Sequence, residues 1–252
     1  ILASLLGVVE VADNEIVLQF VKGNFKEILL PGKYAFWKGI VKNEFIKADL
    51  SKIEITENIS VNLLENAKMR YFTRKFIVSS NDKALLFVNG NFVKELKSGT
   101  HYFWNNAITI DVKTIDMRQQ QVEISGQELL TKDKAGLRIN FFVRYQVVDI
   151  MKALIENKDF EKQLYVAMQL ALRAFVGALT LDELLAKKDT LADAILEEAK
   201  TKIQDLGLVI FNAGIRDVIL PGDMKEIMNQ VLVAEKKAQA NSIMRREETA
   251  AT

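Results

Sequence analysis

The chain has 252 residues, a formal net charge of +1, one histidine and no cysteine. The near-neutral charge gives no reason to expect a nucleic-acid-binding protein. The lack of cysteine excludes disulfides, thiol catalysis, palmitoylation and cysteine-bound metals. A hydrophobic fraction of 49% is ordinary for globular proteins, and the length suits one large domain or two to three small ones.

The opening stretch from Ile1 to Val9 is mostly apolar but is about half as long as a bilayer-spanning helix. It lacks the basic flank of a signal peptide, and we interpret it as a helix-to-strand junction packed on the core. The alternative is the tail of a truncated membrane anchor. Because the sequence begins at Ile1 and stops at Thr252 within a predicted helix, we expect a middle piece of a longer protein.

An internal repeat occupies the first half of the sequence. Residues 14–25 (NEIVLQFVKGNF) match residues 81–92 (NDKALLFVNGNF), and the match continues without a gap to the Phe-Trp pairs at 36–37 and 103–104. Similar stretches around Glu54 and Glu123 predict that each copy includes a further strand. The copies either extend a wall or a membrane-facing surface, or they are a duplicated stable module.

Each copy predicts a small β-rich unit. Gly23 and Gly90 supply the positive φ that a tight hairpin turn requires, and a short aromatic strand follows a second turn. We expect one residue of each Phe-Trp pair to be buried in the core, because neighbouring residues of a strand face opposite sides. The alternative is that the aromatic pairs contact lipid headgroups.

The second half begins with a strand and continues with helices. Apolar and polar residues alternate from Leu137 to Val147, which predicts a half-buried strand. After Asp149 the apolar period becomes helical, and Gly177 is the predicted C-cap of the first helix. The apolar stripe of this helix consists of Leu164, Met168, Ala171, Leu172 and Phe175.

Two more helices and a strand follow. Thr180 and Glu183 form a predicted capping box for a short helix, and a longer helix stops at Gly207. The inward side chains of the longer helix are Leu191, Ala194, Ile195, Ala199, Ile203 and Leu206. Residues 208–220 then predict a strand that is interrupted by a bulge at Gly214.

The final segment predicts a long helix that oligomerises. Asp223 is the expected N-cap, with Glu226 in the reciprocal position. Apolar residues then recur at spacings of three and four, which suits a narrow coiled-coil seam. The predicted seam consists of Met224, Ile227, Val231, Ala234 and Ala238. Since a helix with one thin apolar stripe cannot bury itself in a small domain, we expect it to require a neighbour.

Several short motifs stand out in the second two-thirds of the chain. They are Asp116-Met117-Arg118-Gln119-Gln120-Gln121, Gly126-Gln127-Glu128, Thr131-Lys132-Asp133, Ala171-Leu172-Arg173, Leu181-Asp182-Glu183-Leu184-Leu185, Gly214-Ile215-Arg216-Asp217-Val218-Ile219-Leu220-Pro221, Ala234-Glu235-Lys236-Lys237-Ala238-Gln239-Ala240-Asn241 and Arg245-Arg246-Glu247-Glu248-Thr249. In this order they resemble the slipin (stomatin- and prohibitin-like) branch of the SPFH/band-7 superfamily. The chain departs from that pattern in its doubled β unit and in having no visible N-terminal hydrophobic anchor.

The resemblance implies an α+β fold with a β-rich subdomain, an α/β SPFH subdomain and a long coiled-coil-forming helix. Combined with the repeat, it predicts four parts. These are a first β-rich unit at 1–70, a second β-rich unit at 71–132, the α/β subdomain at 133–221 and the start of the long helix at 222–252.

The resemblance also implies a function. It predicts a non-enzymatic homo-oligomeric scaffold that forms rings or cages at the cytoplasmic face of a membrane and organises membrane proteins or lipids, without a cofactor. The alternative is an adaptor or regulator of a membrane protease or of an NfeD-type membrane protein. In that case the β repeat would be the binding surface and assembly would be incidental.

Residues typical of catalytic sites do not occur in productive patterns. His101, the only histidine, has no partner ligand at a suitable spacing, and we expect it to have a structural role in a strand or turn. Ser79-Ser80 lacks a nucleophile-elbow motif, and the glycines form no phosphate-binding loop. The acidic pairs Asp182-Glu183, Glu197-Glu198 and Glu247-Glu248 are interpreted as solvated helix faces, since adjacent helical residues point about 100° apart.

Overall fold

The computed structural model describes residues 6–39, 41–187 and 190–250. The chain divides into two compact units, Ile1–Asp116 and Met117–Thr252. Both strands and helices are present, which confirms the predicted α+β class. The division of the chain into four parts stays a prediction. The opening stretch from Ile1 to Val9 lies partly outside the described residues. Its described part belongs to a strand, Leu6–Val11.

In its described part, the first unit consists mainly of short antiparallel strands. They are β1 (Leu6–Val11), β2 (Glu15–Val21), β3 (Asn24–Leu29), β4 (Gly32–Trp37), β5 (Asn43–Asp49), β6 (Thr73–Val78), β7 (Asp82–Val88), β8 (Asn91–Leu96), β9 (Gly99–Trp104) and β10 (Ile110–Asp116). The sheets have the orders β3-β2-β5, β1-β4, β10-β7-β8 and β6-β9. A short helix, α1 (Val61–Leu64), and a 3-10 turn at Met69–Tyr71 lie between β5 and β6.

Strands β6–β10 match β1–β5 in length, pairing and irregularities. The β2-β3 and β7-β8 hairpins have register shifts at corresponding places, between Gln19 and Phe20 and between Leu86 and Phe87. Gly23 and Gly90 both adopt a φ of 80°, as the sequence predicted. The preceding residues also have positive φ, and two such residues in succession form the type I′ turn that suits a twisted hairpin. The two sets of strands therefore have the same local geometry.

The similarity ends after the fifth strand of each set. Glu54 makes only an isolated bridge with Phe103, whereas Glu123 lies within a long strand of the second unit. The prediction of equivalent strands at these two positions was therefore wrong. The reason is that the connecting segment at 50–72 crosses to the second set of strands, where Trp104 N donates to Ile53 O at 2.8 Å.

The second Phe-Trp pair is buried on both sides of β9. Phe103 packs with Val78, Ala84, Leu86 and Leu96. Trp104 packs in a different cluster, whose other buried members are Ile16, Leu18, Ala48, Leu63, Leu64 and Met69. The expectation that only one residue of each pair is buried was thus wrong here, because both faces of β9 are covered. In the first pair the prediction holds, because Phe36 packs against the buried cluster of Val11, Val17 and Leu29, whereas Trp37, the counterpart of Trp104, is 51% exposed.

We expect Trp104→Ala to lower the free energy of unfolding of the first unit by about 3–5 kcal/mol, because it empties a large site in the core. Trp37→Ala is the matched control and should cost less than about 1 kcal/mol, since half of its ring is in water. Urea titration of the two variants, followed by circular dichroism, measures the difference. Equal losses would contradict the assignment of Trp104 to the core.

The second unit combines a three-stranded antiparallel sheet with helices. Its strands are β11 (Gln120–Leu130), β12 (Gly136–Val147) and β13 (Leu208–Ile219), in the order β11-β12-β13. Its helices are α2 (Phe160–Ala178), α3 (Leu181–Ala186), α4 (Leu191–Asp205) and α5 (Gly222–Ala250), and a π-helical turn spans Lys152–Glu156. The alternate residues of β12 from Leu137 to Val147 are buried, which confirms the predicted strand.

The capping box of α3 is confirmed. Glu183 N donates to Thr180 Oγ1 at 3.3 Å, and Thr180 N donates to Glu183 Oε2 at 2.9 Å. These hydrogen bonds hold the pKa of Glu183 below its ordinary value, with the backbone amide of Thr180 as the largest cause. Because the folded-state pKa is lowered, this stabilisation is present above the unfolded-state pKa and is lost as the pH falls through the folded one.

We expect Thr180→Ala to destabilise the second unit by about 1 kcal/mol, because the N–H group of Glu183 loses its acceptor. Thr180→Ser, which keeps the hydroxyl, should retain most of the stability. Thermal unfolding of the two variants measures the effect, and equal losses for both would show that the hydroxyl does not act as a cap.

Three predictions of local geometry were wrong. Helix α2 continues through Gly177 to Ala178, and its C-cap is Leu179. Gly214 is not at a bulge, because it pairs in register with Phe142, whose ring comes within 3.0 Å of the position of an added Cβ. The extra residues of β13 are Phe211 and Arg216, where the register with β12 shifts.

Helix α5 begins at Gly222, which places Asp223 in its first turn rather than at its N-cap.

Candidate assembly surfaces

Helix α5 is the most exposed regular element of the second unit. Its described side chains from 222 to 247 are exposed, except for those of Met224 and Met228, which are half-buried. In the predicted seam, Ile227 is 55% exposed and Val231 is 53% exposed. Ala234 and Ala238 are also exposed, so most of the seam can contact another molecule without unfolding the subunit.

Apolar residues also lie outside the predicted seam. At about 100° per residue, Leu232 and Ile243 share a second face of α5, and Val233 and Met244 share a third. All four side chains are more than half exposed. These residues were not predicted from the sequence, because they do not follow the single period of three and four that predicts the seam. The uninterrupted apolar run from Val231 to Ala234 was the signal that could have identified them.

An apolar cup lies at the base of α5. It has a volume of about 670 Å³ and lies where the β11-β12 turn meets the end of β13. Leu130 and Ile219 line it and are 65% and 49% exposed. The ion pair between Arg138 and Glu128, with 2.6 Å between Nη2 and Oε1, is part of the same lining.

A groove between α2 and α4 is a further exposed surface. It has a volume of about 730 Å³, and Val166 and Leu170 are the large apolar residues in its lining. Lys158, Lys162 and Lys202 are its cationic lining residues. Asp159 and Glu198 also line the groove, and its dimensions suit a largely apolar helix or peptide.

Residues of the recognised motifs have structural roles in the second unit. Arg216 Nη1 lies 3.1 Å from both carboxylate oxygens of Glu123, and Asn140 Nδ2 donates to Asp217 Oδ1 at 2.6 Å. Asp133 Oδ1 accepts a hydrogen bond from Leu181 N, which attaches the β11-β12 turn to α3. These contacts join neighbouring elements and stiffen the subunit.

The groups with potential for acid-base chemistry also have structural partners. His101 Nε2 lies 2.7 Å from Lys97 O, and its counterpart Tyr34 donates its hydroxyl to Leu30 O at 2.9 Å. His101 thus has the structural role that was predicted for it. Burial raises the pKa of the Tyr145 hydroxyl, whose oxygen lies 3.1 Å from Gln120 Oε1 and 3.2 Å from Glu161 Oε1. Among the described residues, no group of three or more acidic, histidine or cysteine side chains could hold a metal ion.

Within the described residues, none of the helices is both long enough and apolar enough to cross a bilayer. Helix α5 is long, but lysine, arginine and glutamate residues are spread along its length.

Comparison with known proteins shows which family this chain resembles. The family model described as "SPFH domain / Band 7 family" matches residues 76–249, which is more than half of the chain. An uncharacterized protein of Methanocaldococcus jannaschii is 31% identical over 164 residues, covering 65% of this chain and 81% of that protein. A stomatin homolog of Pyrococcus horikoshii is 30% identical over 167 residues, covering 65% of this chain and 61% of its own length.

Mouse stomatin is 24% identical over 167 residues, covering 66% of this chain and 59% of its own length. The chain thus spans less than two thirds of either stomatin. Strands β1–β5 precede the segment that the family model matches. The matched segment begins within β6 and contains β7–β10 and the second unit with α5 up to residue 249, and so the chain belongs to the SPFH domain / Band 7 family.

Proposed function

We propose that this chain is a non-enzymatic, membrane-associated scaffold whose subunits assemble side by side into rings or cages through α5. In this proposal the assembly lies at the cytoplasmic face of a membrane and organises membrane proteins or lipids. The observation that carries the proposal is the exposed apolar surface of α5. Family membership supports it, because the resemblance to slipins implies a scaffold of this kind.

Parallel packing of α5 helices would bury the seam. Burying a fully exposed isoleucine or valine side chain contributes about 1.5–3 kcal/mol, so each half-exposed residue of the seam contributes about 1 kcal/mol. Two helices together then gain a few kcal/mol, which is comparable with the cost of about 4–15 kcal/mol for associating two molecules. One helix pair from this segment is therefore marginal, and stable assembly requires several neighbours.

The apolar residues outside the seam favour such an arrangement. Leu232 and Ile243 lie about 120–140° around the helix from the centre of the seam, which suits contact with a second neighbour. A two-stranded coiled coil would leave them in water. Asn241 follows Ala238 at the next seam position, where a polar residue fixes the register of neighbouring helices. In this proposal, α5 is thus one of many parallel helices that pack side by side, each in contact with two neighbours.

We also infer that the first unit arose by duplication of one five-stranded β module, which supports the proposed boundary near residue 70. The equal strand lengths and the corresponding bulges support this inference. The second copy then belongs to the SPFH region, and the first copy is an addition to it. The α/β subdomain at 133–221 and the coiled-coil segment from 222 complete the proposed organisation.

The particle mass and shape of the complete natural chain test the scaffold proposal. Mass photometry with negative-stain imaging, without added membrane, should detect large closed particles. Monomers or dimers in water and also on vesicles of phosphatidylcholine and phosphatidylserine would contradict it.

The alternative is an adaptor or regulator of a membrane protease or of an NfeD-type membrane protein. The apolar groove between α2 and α4 favours this function, since its lining of Val166, Leu170 and three lysines can accept a helix of another protein. A seam variant that no longer assembles separates the two proposals. An adaptor would still bind its partner after it has become a monomer. A scaffold would lose its function together with its assembly.

A further inference from the structure

The groove between α2 and α4 differs in chemistry from one end to the other. Asn157 Nδ2 donates to Asp205 O at 3.1 Å, which places the start of α2 beside the end of α4. Lys158 and Lys162 at the start of α2 therefore line the same end of the groove as Lys202 of α4. These three lysines define the cationic end of the groove.

The cationic end carries an excess of positive charge. The side chains of its three lysines form neither an ion pair nor a hydrogen bond with any described residue. Asp159 also lines this end, but it is the N-cap of α2 and accepts a hydrogen bond from Lys162 N at 3.0 Å. Glu198 lines the groove one turn before Lys202 on α4. Three unpaired cations against two carboxylates, one of which already caps a helix, suit an anionic group of a ligand.

The rest of the groove is an apolar trough. Its lining consists of small or branched apolar side chains from both helices, namely Val166, Ala167, Leu170, Ala171, Ala174 and Ala199. Ala171 and Ala199 are buried, because small side chains let the two helices approach closely. At 1.5 Å per residue, α2 extends the trough for about 18 Å from Lys162 to Ala174, which is close to the length of an extended long acyl chain.

The polarity along the groove favours a lipid molecule that lies lengthwise in it. Positive charge at one end and apolar side chains along the remainder match an anionic head group followed by an acyl chain. A bilayer surface would instead suit apolar residues with basic residues around them. A helix of a partner has a diameter of about 10–12 Å with its side chains, and a single acyl chain fits the alanine-lined floor more closely.

We propose that the groove between α2 and α4 binds one long-chain fatty acid. The carboxylate lies between Lys162 and Lys202, which supply one positive charge from each helix, and the acyl chain lies along the trough. In the proposed scaffold each subunit would thus hold one lipid molecule. This role of the lipid rests on the proposed function, whereas the binding itself does not require assembly.

The full-length chain and cis-parinaric acid, a fluorescent polyene fatty acid, provide the test. The emission of this probe rises when its chain leaves water, and we expect saturable binding. The methyl ester of the probe, which has no charge, should bind tenfold or more weakly. Lys162→Glu together with Lys202→Glu should lower the affinity for the acid to that for the ester.

Matched variants locate the site. Lys187→Glu together with Lys200→Glu makes the same change in charge outside the groove lining and should leave binding of the acid unchanged. Leu170→Asp should weaken binding by tenfold or more, since it places a charge in the trough. Val148→Asp should not weaken it, although Val148 is 57% exposed and Leu170 is 58% exposed. Circular dichroism checks that all four variants are folded.

Three results would overturn the proposal. They are the absence of binding up to about 100 μM acid, equal affinities for the acid and its ester, and equal losses in the groove and control variants. A synthetic peptide of residues 224–244 tests a helix of a neighbouring subunit as the occupant. Tighter binding of this peptide than of the acid, with the same sensitivity to Leu170→Asp, would also overturn the proposal.

Mass photometry of the same variants separates this proposal from the scaffold. A chain that binds the acid but forms no large particles supports the lipid site and contradicts the scaffold. A chain that forms large particles without binding the acid contradicts the lipid site and leaves the scaffold in place.

Discussion

Replacing both Ile227 and Val231 with aspartate is expected to convert large particles of this protein into monomers while the subunit stays folded. Both side chains are more than half exposed in the single chain, so the substitutions should cost little in folding stability. In a packed seam they would place charges in an apolar contact that repeats at every subunit, and burying an unpaired charge costs several kcal/mol. Mass photometry before and after the change measures the effect directly.

Asn229→Asp together with Gln230→Asp is the matched control. It adds the same charge to the same turns of α5 but leaves the seam residues in place. We expect this variant to assemble almost normally at physiological ionic strength, where exposed charges are screened. If the seam variant kept its full particle mass, or if both variants dispersed equally, the proposed seam would not be the contact that holds the assembly together.

Gly207→Ala is expected to produce the largest loss of stability of any single methyl group added to the second unit. An added Cβ would lie 2.4 Å from Asp149 O and 2.9 Å from Lys152 Cβ, and the residue has a φ of +74°. The left-handed backbone costs a non-glycine residue about 1–2 kcal/mol, and overpacking typically adds about 1–3 kcal/mol. Gly207 O also accepts hydrogen bonds from Val148 N and Asp149 N, which a shift of the backbone would weaken. We expect a total loss of about 2–5 kcal/mol.

Gly126→Ala separates backbone strain from steric overlap. Gly126 has a φ of +65°, but an added Cβ would have no neighbour within 4 Å. This control should therefore lose only the strain of about 1–2 kcal/mol. Urea unfolding of the second unit compares the two variants. Equal losses would mean that Asp149 and Lys152 move aside without cost, and the close contact at Gly207 would then have no special role in stability.

Local patterns were sufficient to predict several elements of this fold. The alternation from Leu137 to Val147, the capping box at Thr180 and the glycine turns at 23 and 90 each depend on residues near one another in sequence. The seam on α5 stays a prediction from periodicity, and its apolar residues lie mostly in solvent. These features need no knowledge of which distant segments meet.

The features that sequence could not predict depend on distant contacts. Gly214 looked like a bulge residue, but its role depends on the Phe142 ring across the sheet, and the bulges lie at Phe211 and Arg216 instead. Trp37 and Trp104 are equivalent in the repeat, yet their burial differs because one segment covers only the second of them. The second apolar face of α5 was not predicted, because a single apolar spacing of three and four residues marks the contact with only one neighbouring helix.

The position of Trp104 determines when the first β module can fold during synthesis. This residue belongs to the second module, yet it fills the cluster that contains Ile16, Leu18 and Ala48 of the first. A nascent chain that has emerged only as far as β5 therefore lacks a large part of the interior it needs. We therefore expect this cluster to be completed only after β9 has left the ribosome, with the two modules forming in one cooperative step. Their equilibrium unfolding should accordingly show one transition, without a species in which either module survives alone.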